Sequence, residues 1–347
     1  MGDSFLGTAK VGEVLTDNPA FTRSILGTAD PGEVFRRLDA FCEEHLGLGV
    51  GEVLFCELSV GAAFGLRLTD GRRIFLKAHP PDRPPEFLRA VRRVQGHLFG
   101  RGFPCPRPVV DPAPFGLGLA TVDEFVDEGE HVDAHEPAVR RTMARTLARL
   151  VELVGEVRDV QGLDLGWRWP GEGKLWPKPH NALFDFEATA EGAEWIDEVA
   201  AQAKRALDGF DGKVVVGHTD WSVDQIRFEG REVSVVYDWD SVRPEREAVV
   251  VGTAAATFTA TWRFGVPNPP SPEESWAFVE EYEAARQSVF SGEERAAIAA
   301  ADVYVMAYTA RCEHALDPGG KNLPGSFREV LPSHIEAYFR RGLIGKE

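Results

Sequence analysis

The sequence predicts an α+β fold in two lobes, a small antiparallel sheet in the first lobe and mostly helices in the second. Short apolar segments separated by tight turns dominate residues 51–125, a pattern typical of antiparallel strands. Beyond residue 127, apolar residues recur at three- and four-residue spacing, which indicates amphipathic helices. The 347 residues are enough to bury two cores. We expect an N-terminal extension over 1–29, an N-lobe over 30–126 and a C-lobe over 127–347.

A helix is predicted to open the N-lobe. It would start at Asp30-Pro31-Gly32-Glu33, because Asp caps a helix, Pro fits its first position and Glu completes a capping box. Strands follow over 53–58, 66–68 and 73–78. Small residues form the turn at 61–65, and Asp70-Gly71 is a strong hairpin signal.

The rest of the N-lobe is predicted to be one helix and two more strands. Phe87, Val91, Val94 and Leu98 share one helical face, and a proline-rich segment at 104–108 ends the helix. Residues 117–125 are expected to form the two strands.

The C-lobe is expected to be mainly helical. An amphipathic helix is predicted from Val139 to Val154 and another from Ala190 to Leu207. From Val249 to the end of the chain the helical pattern prevails. Between the first two of these helices, residues 160–185 are rich in Trp, Pro and Gly, which favours a loop.

Charge and composition exclude several classes of protein. The net charge of −17 argues against nucleic acid or an anionic membrane surface as a partner. No apolar run is long enough to span a membrane, and the N-terminus lacks the pattern of a secretory signal. The four cysteines form no CxxC pair, so we expect reduced thiols in a cytoplasmic protein.

Two acidic motifs carry most of the chemical information. His218-Thr219-Asp220 and Asp238-Trp239-Asp240 flank a predicted hairpin, with its turn at 229–232. Because a hairpin brings its ends together, the leading aspartates should converge to bind a divalent cation and meet a substrate hydroxyl. Asp220 is expected to orient the hydroxyl and accept its proton, whereas His218 holds the loop. A salt bridge to Arg243 or Arg246 is the alternative partner for Asp238.

A lysine-bearing strand is a second signal. The turn of small residues that includes Gly61 and Ala62 lets backbone N–H groups approach phosphates, and Lys77 adds a positive charge. An ordinary sheet with an exposed lysine would give the same pattern, so this signal depends on the acidic motifs that follow it.

Together these motifs resemble the aminoglycoside phosphotransferase family, small-molecule kinases with a protein-kinase-like fold. That family carries His-Gly-Asp-x-x-x-x-Asn followed by Ile-Asp-Trp/Phe-Glu/Asp. The corresponding segments here are Gly217–Gln225 and Val236–Asp240. The order of elements is similar over residues 35–340, and the specific part of the resemblance is residues 214–241.

The resemblance implies a role for each motif. Lys77 would contact the α- and β-phosphates of the nucleotide, next to the Gly61-Ala62 turn. Residues 121–126, with Glu124 and Phe125 at their centre, would form the hinge around the base.

In the second half of the chain, the resemblance makes Asp220 the catalytic aspartate and Asp238 the main ligand of Mg²⁺. Asp240 and His218 would support the site. Gln225 replaces the metal-binding Asn of the family, with its carbonyl oxygen one methylene further out.

A second departure concerns the helix of the N-lobe. The acid that ordinarily pairs with the lysine in kinases would fall at Arg92 or Arg93 here, and Glu86 or Gln95 are the nearest replacements.

The predicted function is ATP- or GTP-dependent phosphorylation of a hydroxyl group on a small molecule, with Mg²⁺ as cofactor. An aminoglycoside or another cationic amino alcohol is the first candidate for the acceptor. A metabolite kinase for choline, a sugar or homoserine is an alternative, and so is a nucleotide-binding pseudokinase with a regulatory role. Six glutamates of the C-terminal helices either bind amines or form a solvated face: Glu273, Glu274, Glu280, Glu281, Glu283 and Glu313.

Overall fold

A computed structural model describes residues 12–157, 159–165, 173–179, 184–261, 268–320 and 323–340. The chain divides into two compact units. The first comprises residues 1–100, 106–127 and 159–166, and the second comprises residues 101–105, 128–158 and 167–347. The predicted α+β class is confirmed, because a small antiparallel sheet accompanies a mostly helical remainder. The three predicted domain boundaries remain predictions.

The first unit is a five-stranded antiparallel sheet with helices. Its elements are α1 Pro19–Leu26, α2 Pro31–Leu46, β1 Val50–Leu58, β2 Ala62–Leu68, β3 Arg73–Ala78, α3 Pro85–Gly100, β4 Pro108–Phe115 and β5 Gly118–Glu124. The strand order is β1-β2-β3-β5-β4. The prediction of two strands within 117–125 is wrong. Only β5 lies there, because β4 uses the preceding segment and pairs with β5 across a turn at Gly116.

Local signals fix the helices that precede the sheet. The Asp30 carboxylate accepts a hydrogen bond from the Glu33 amide at 2.7 Å, so the predicted cap of α2 is present. Gly47 ends the helix in the left-handed conformation, at φ 71°, which costs a glycine little. Leu15 and Ile25, from the N-terminal segment, belong to the same buried core as Leu38.

The second unit contains six α-helices and four short strands among the described residues. The helices are α4 Pro137–Val154, α5 Glu194–Asp208, α6 Glu247–Thr257, α7 Pro272–Arg286, α8 Gly292–Leu316 and α9 Phe327–Arg340. The strands are β6 Val214–His218, β7 Ile226–Glu229, β8 Glu232–Val236 and β9 Val242–Arg246. The helix predicted over 190–207 starts later, at Glu194, because residues 191–192 form a turn in which Gly192 has a positive φ of 81°.

Helix α6 lies directly after β9 and is buried on all sides. At Gly252 the backbone of α8 approaches so closely that a Cβ would overlap the Ile298 carbonyl oxygen. This packing fixes the position of the strands that precede α6. None of the described helices is both long and apolar enough to cross a bilayer.

Candidate active site

Asp220 lies on a loop whose conformation is fixed by the strand pairing beneath it. Strand β6 ends at His218, which pairs with Val242 at the start of antiparallel β9. The backbone N–H and the hydroxyl of Thr219 both donate to the Ser241 carbonyl, at 3.0 and 2.8 Å. The loop that carries Asp220 is therefore joined to the segment that follows Asp238.

The ring of His218 bridges the same two segments. It is fully buried, its Nδ1 accepts the Asp220 backbone N–H at 3.3 Å, and its Nε2 lies 2.9 Å from the Tyr237 carbonyl. Because Nδ1 accepts and a carbonyl cannot donate, the ring proton must be on Nε2. Burial lowers the pKa of His218, although Asp238 and the Tyr237 carbonyl oppose the shift. A neutral imidazole that holds the loop fits both observations.

Gln225 contacts Asp220 directly. Its Nε2 donates to Oδ2 of Asp220 at 3.0 Å, and its backbone carbonyl accepts the Tyr237 N–H at 2.9 Å. A carboxylate only accepts hydrogen bonds, so the amide nitrogen must be the atom that faces Asp220. The side-chain oxygen of Gln225 is then the atom that could bind a cation.

Asp238 follows the predicted hairpin, which the structure contains as β7 and β8. Its backbone is left-handed, with φ 59° and ψ 52°, a conformation that costs a non-glycine residue about 1–3 kcal/mol and is concentrated at functional sites. The Ser241 hydroxyl donates to Oδ2 of Asp238 at 2.6 Å. The sequence analysis missed Ser241, because no local pattern marks a serine that donates to an aspartate three residues before it.

Trp239 and Asp240 complete this turn. The buried Trp239 ring donates from its Nε1 to the Val236 carbonyl at 2.9 Å and packs edge-on against His218. Asp240 is half-buried beside it, and its charge acts on His218. The turn therefore places Asp238, Asp240 and the imidazole of His218 in one electrostatic environment.

The salt bridge considered between Asp238 and Arg246 is absent. The Arg246 guanidinium instead bonds Glu245 at 3.1 Å and the Leu207 and Phe210 carbonyls at 2.6 and 2.8 Å. Arg243 is buried in β9, and loss of hydration lowers its pKa to about 10.

The donors around Asp238 suit a divalent cation bound together with a nucleotide. In the described part of the chain no three His, Cys, Asp or Glu side chains form a metal cluster. Mg²⁺ at a phosphate-transfer site takes only one or two protein carboxylates, and phosphate oxygens and water supply the rest. The Asp238 carboxylate and the side-chain oxygen of Gln225 are oxygen groups of the kind that such an ion takes from a protein.

Lys77 belongs to the first unit. It is half-buried on β3, opposite Thr121 of β5 and Ala63 of β2. Gly61 is needed for packing, because a Cβ there would overlap the Ala78 carbonyl oxygen of β3. The side chain of Ala62 is fully buried, so only its backbone could meet a ligand.

Glu124 and Phe125 lie where the chain leaves β5. The Glu124 amide donates to the Arg107 carbonyl at 2.9 Å, and the Phe125 amide donates to the Arg73 carbonyl at 3.3 Å. The Phe125 ring packs against Phe55 and under the Arg73 guanidinium. Neither amide can donate to a nucleotide base without losing a hydrogen bond to a neighbouring segment.

Most of the glutamates considered for amine binding have structural partners. Glu274 bonds His135 at 2.9 Å, Glu281 bonds Arg140 at 3.0 Å, and Glu283 bonds Arg295 at 2.7 Å. Glu313 accepts the Phe327 and Arg328 amides, at 3.0 and 2.9 Å. These four carboxylates join elements of the second unit, so they hold the fold rather than form the solvated face that was the alternative to amine binding.

A cavity of about 520 Å³ lies at the turn of the hairpin, lined by residues 128–130 and 228–230. Asp220 and Asp238 are at the opposite end of the hairpin, four to five residues of extended chain away. Each residue of a strand spans about 3.3 Å, so the length of the hairpin separates the cavity from the acidic motifs. It is not the site predicted from the sequence.

The loop, the left-handed aspartate and the hairpin between them are compatible with a class of enzyme, the small-molecule kinases that transfer phosphate to an alcohol group, and the family model shows that class. The phosphotransferase enzyme family model matches residues 57–297, more than two thirds of the chain. The chain therefore belongs to the phosphotransferase enzyme family. It is a small-molecule phosphotransferase. No sequence among curated proteins matches it.

Solved structures share the fold at low sequence identity. An amicoumacin kinase in complex with AMP-PNP, Ca²⁺ and Ami is 13% identical with a TM-score of 0.60, and 91% of this chain and 98% of that chain are covered. A type I macrolide 2′-phosphotransferase is 19% identical with a TM-score of 0.51, covering 92% and 98%. An ethanolamine kinase from Plasmodium vivax is 12% identical with a TM-score of 0.51, covering 86% and 84%. These similarities confirm the predicted protein-kinase-like fold.

Proposed function

We propose that this phosphotransferase moves the γ-phosphate of ATP or GTP to a hydroxyl group of a small molecule, with Asp220 as the catalytic residue. The observation that supports it most is the fixed position of Asp220. Gln225 holds one carboxylate oxygen at 3.0 Å, and His218 holds the backbone N–H at 3.3 Å.

In the proposed reaction, Asp220 aligns the acceptor hydroxyl with the γ-phosphorus. A bond forms between the acceptor oxygen and phosphorus, the bond from phosphorus to the bridging oxygen of the nucleoside diphosphate breaks, and the hydroxyl proton passes to Asp220. Phosphoryl transfer has a loose transition state, so positioning and charge neutralisation dominate its catalysis.

Asp238 and the side-chain oxygen of Gln225 are the proposed protein ligands of Mg²⁺. When it is bound, the ion neutralises negative charge on the nucleotide phosphates. The AMP-PNP and Ca²⁺ in the amicoumacin kinase complex support an ATP-type nucleotide and a divalent cation for this fold. His218 holds Asp220 and Ser241 holds Asp238 through the hydrogen bonds described above, and Asp240 adds negative charge beside His218.

Nucleotide binding is assigned to Lys77, Gly61, Ala62, Glu124 and Phe125. Lys77 contributes positive charge to the phosphates, and the Gly61-Ala62 turn contributes backbone. Because the Glu124 and Phe125 amides already donate to other segments, their proposed contribution is to shape the base pocket and offer carbonyl oxygens.

The proposed acceptor is a cationic amino alcohol, an aminoglycoside among them. Amicoumacin and ethanolamine kinases share the fold, and the net charge of −17 suits a cationic ligand. A metabolite kinase for choline, a sugar or homoserine is the second candidate, since ethanolamine kinase acts on a small metabolite. We also propose a cytoplasmic location, because the four cysteines, all of them described and buried, form no disulfide.

A panel experiment tests the proposal. Purified protein is incubated with Mg-ATP or Mg-GTP and a mixture of aminoglycosides, amino alcohols, sugars and nucleosides, and mass spectrometry detects the addition of one phosphate. We expect a phosphorylated amino alcohol with the wild type and none with Asp220→Asn. If no product forms although nucleotide stabilises the protein against heat, the pseudokinase alternative replaces the proposal.

A further inference from the structure

The face of the sheet that carries Lys77 also carries a buried ion pair that the acidic motifs do not explain. Side chains alternate along a strand, so Phe75 and Lys77 on β3 share a face with their partners Asp123 and Thr121 on β5. Arg92 of α3 contacts Asp123 in a short ion pair, with only 5% of the Arg92 and 14% of the Asp123 side chain exposed. Two opposite charges therefore lie between this helix and the Lys77 face of the sheet.

Asp123 is held firmly in place. Oδ1 accepts from Arg92 and, at 3.1 Å, from Nε2 of Gln95. Arg92 is itself fixed, because it also donates to the Val122 carbonyl at 2.6 Å and the Val110 carbonyl at 3.1 Å. When the donors of a carboxylate all bind one of its oxygens, the other oxygen can face a further cation.

Lys77 is within electrostatic range of that carboxylate. Asp123 pairs with Phe75, two residues from Lys77, and such diagonal neighbours lie about 7–8 Å apart. Burial raises the pKa of the Asp123 carboxyl, and the opposing influences are Arg92, Gln95 and the positive charge of Lys77. The lysine and the aspartate therefore interact in the folded protein.

In protein kinases the lysine of this strand is paired with an acid on the adjacent helix. Here α3 presents Arg92 and Gln95 to this face of the sheet, and the carboxylate that they hold belongs to Asp123 of β5. We propose that Asp123 is a positioning residue for Lys77: its carboxylate, fixed by Arg92 and Gln95, orients the ammonium group for the nucleotide phosphates. This inference rests on the proposed role of Lys77 in nucleotide binding.

A double variant separates positioning from stability. Asp123→Asn alone would leave the Arg92 charge buried and unpaired, whereas Arg92→Gln with Asp123→Asn replaces the pair by neutral groups that can still hydrogen-bond. We expect the double variant to melt within about 2 °C of the wild type. We expect its Kd for Mg-ATP to rise about tenfold, because the charge acting on Lys77 is gone.

The matched control is Arg140→Gln with Glu281→Gln. This ion pair of the second unit joins α4 to α7 with 11% and 14% of its side chains exposed, so it is buried to a similar degree. Its neutralisation should leave the Kd for Mg-ATP unchanged. A tenfold rise in the Arg92/Asp123 double variant against an unchanged control supports the proposal.

Several results would overturn it. If the double variant melts like the wild type and also keeps the wild-type Kd, the pair is only structural. If the double variant does not fold, Gln95→Leu takes its place, and a Kd that fails to rise about threefold contradicts the proposal. Lys77→Ala tests the underlying assignment: an unchanged Kd for that variant removes the role of Lys77, and the inference with it.

Discussion

Gln225 and Asp220 are joined by a hydrogen bond of 3.0 Å from the amide nitrogen to carboxylate Oδ2. The residue that stands where the resemblance places an asparagine thus holds the carboxylate that we propose as catalytic. The longer side chain can reach Asp220 while its oxygen stays available to a cation.

Gln225→Leu should lower kcat by about 10- to 100-fold, the effect of losing one hydrogen bond to a charged group. It should also raise the Mg²⁺ concentration needed for half-maximal rate. Steady-state rates over a Mg²⁺ titration measure both quantities. Gln225→Asn, which keeps an amide, is the control and should retain more activity than Gln225→Leu. An unchanged kcat in Gln225→Leu would show that the hydrogen bond does not hold Asp220 for catalysis.

His218→Phe should destabilise the protein, because it leaves the Asp220 N–H and the Tyr237 carbonyl without their partner. A fully buried group that loses its partner costs about 1–3 kcal/mol, and we expect the lower end of this range because Asp220 and Tyr237 are only part-buried. Urea unfolding gives the loss, and His218→Gln, with one donor and one acceptor, should recover part of it. Equal stability of the phenylalanine variant and the wild type would mean that His218 does not brace the loop.

Gly217→Ala should destabilise the strand that leads to Asp220. A Cβ at Gly217 would lie 2.5 and 2.7 Å from the two γ-carbons of Val250, and overpacking of this kind costs about 1–3 kcal/mol. Val250→Ala removes both γ-carbons, so the double variant should be more stable than the sum of the single effects implies. If the losses of unfolding free energy of the two single variants simply add in the double variant, the predicted clash between the Cβ added at Gly217 and the side chain of Val250 does not occur.

The buried pair His334–Asp302 should make stability depend on pH. Both ring nitrogens of His334 face acceptors at 2.9 Å, Asp302 Oδ1 and the Pro270 carbonyl, so the ring must be doubly protonated. Burial lowers the pKa of His334, but Asp302 and the two hydrogen bonds outweigh it and the net pKa is raised.

Because the pKa of His334 is higher in the folded than in the unfolded protein, protonation of the ring stabilises the fold. This stabilisation is complete below the unfolded pKa of about 6.5 and is lost as the pH rises through the folded pKa. The difference in unfolding free energy between wild type and His334→Gln should therefore be largest near about pH 6 and shrink toward about pH 9. Urea titrations across this range measure it. A difference that grows with pH would contradict the assignment of an imidazolium.

The sequence predicts those parts of the site that depend on local patterns. The hairpin between the acidic motifs follows from two apolar strands around Glu229-Gly230-Arg231-Glu232, and Lys77 on β3 follows from alternation after Asp70-Gly71. Both features depend on residues close in the chain.

Features that depend on distant residues were missed. Asp123 alternates with buried Val122 and so resembles a solvent-facing residue, but α3 covers it and supplies Arg92. Nothing in a helical pattern distinguishes a buried arginine from an exposed one. The partners of Glu281 and Glu283 were missed for the same reason, because Arg140 and Arg295 belong to other helices.

The role of Asp220 is the central claim, and the most direct test compares kcat of wild type and Asp220→Asn with the phosphorylated acceptor. We predict that kcat falls by about 10²–10⁴-fold, the usual contribution of a catalytic base, while the Kd for Mg-nucleotide changes by less than about threefold. A variant that keeps more than a tenth of the wild-type kcat would show that another group accepts the proton.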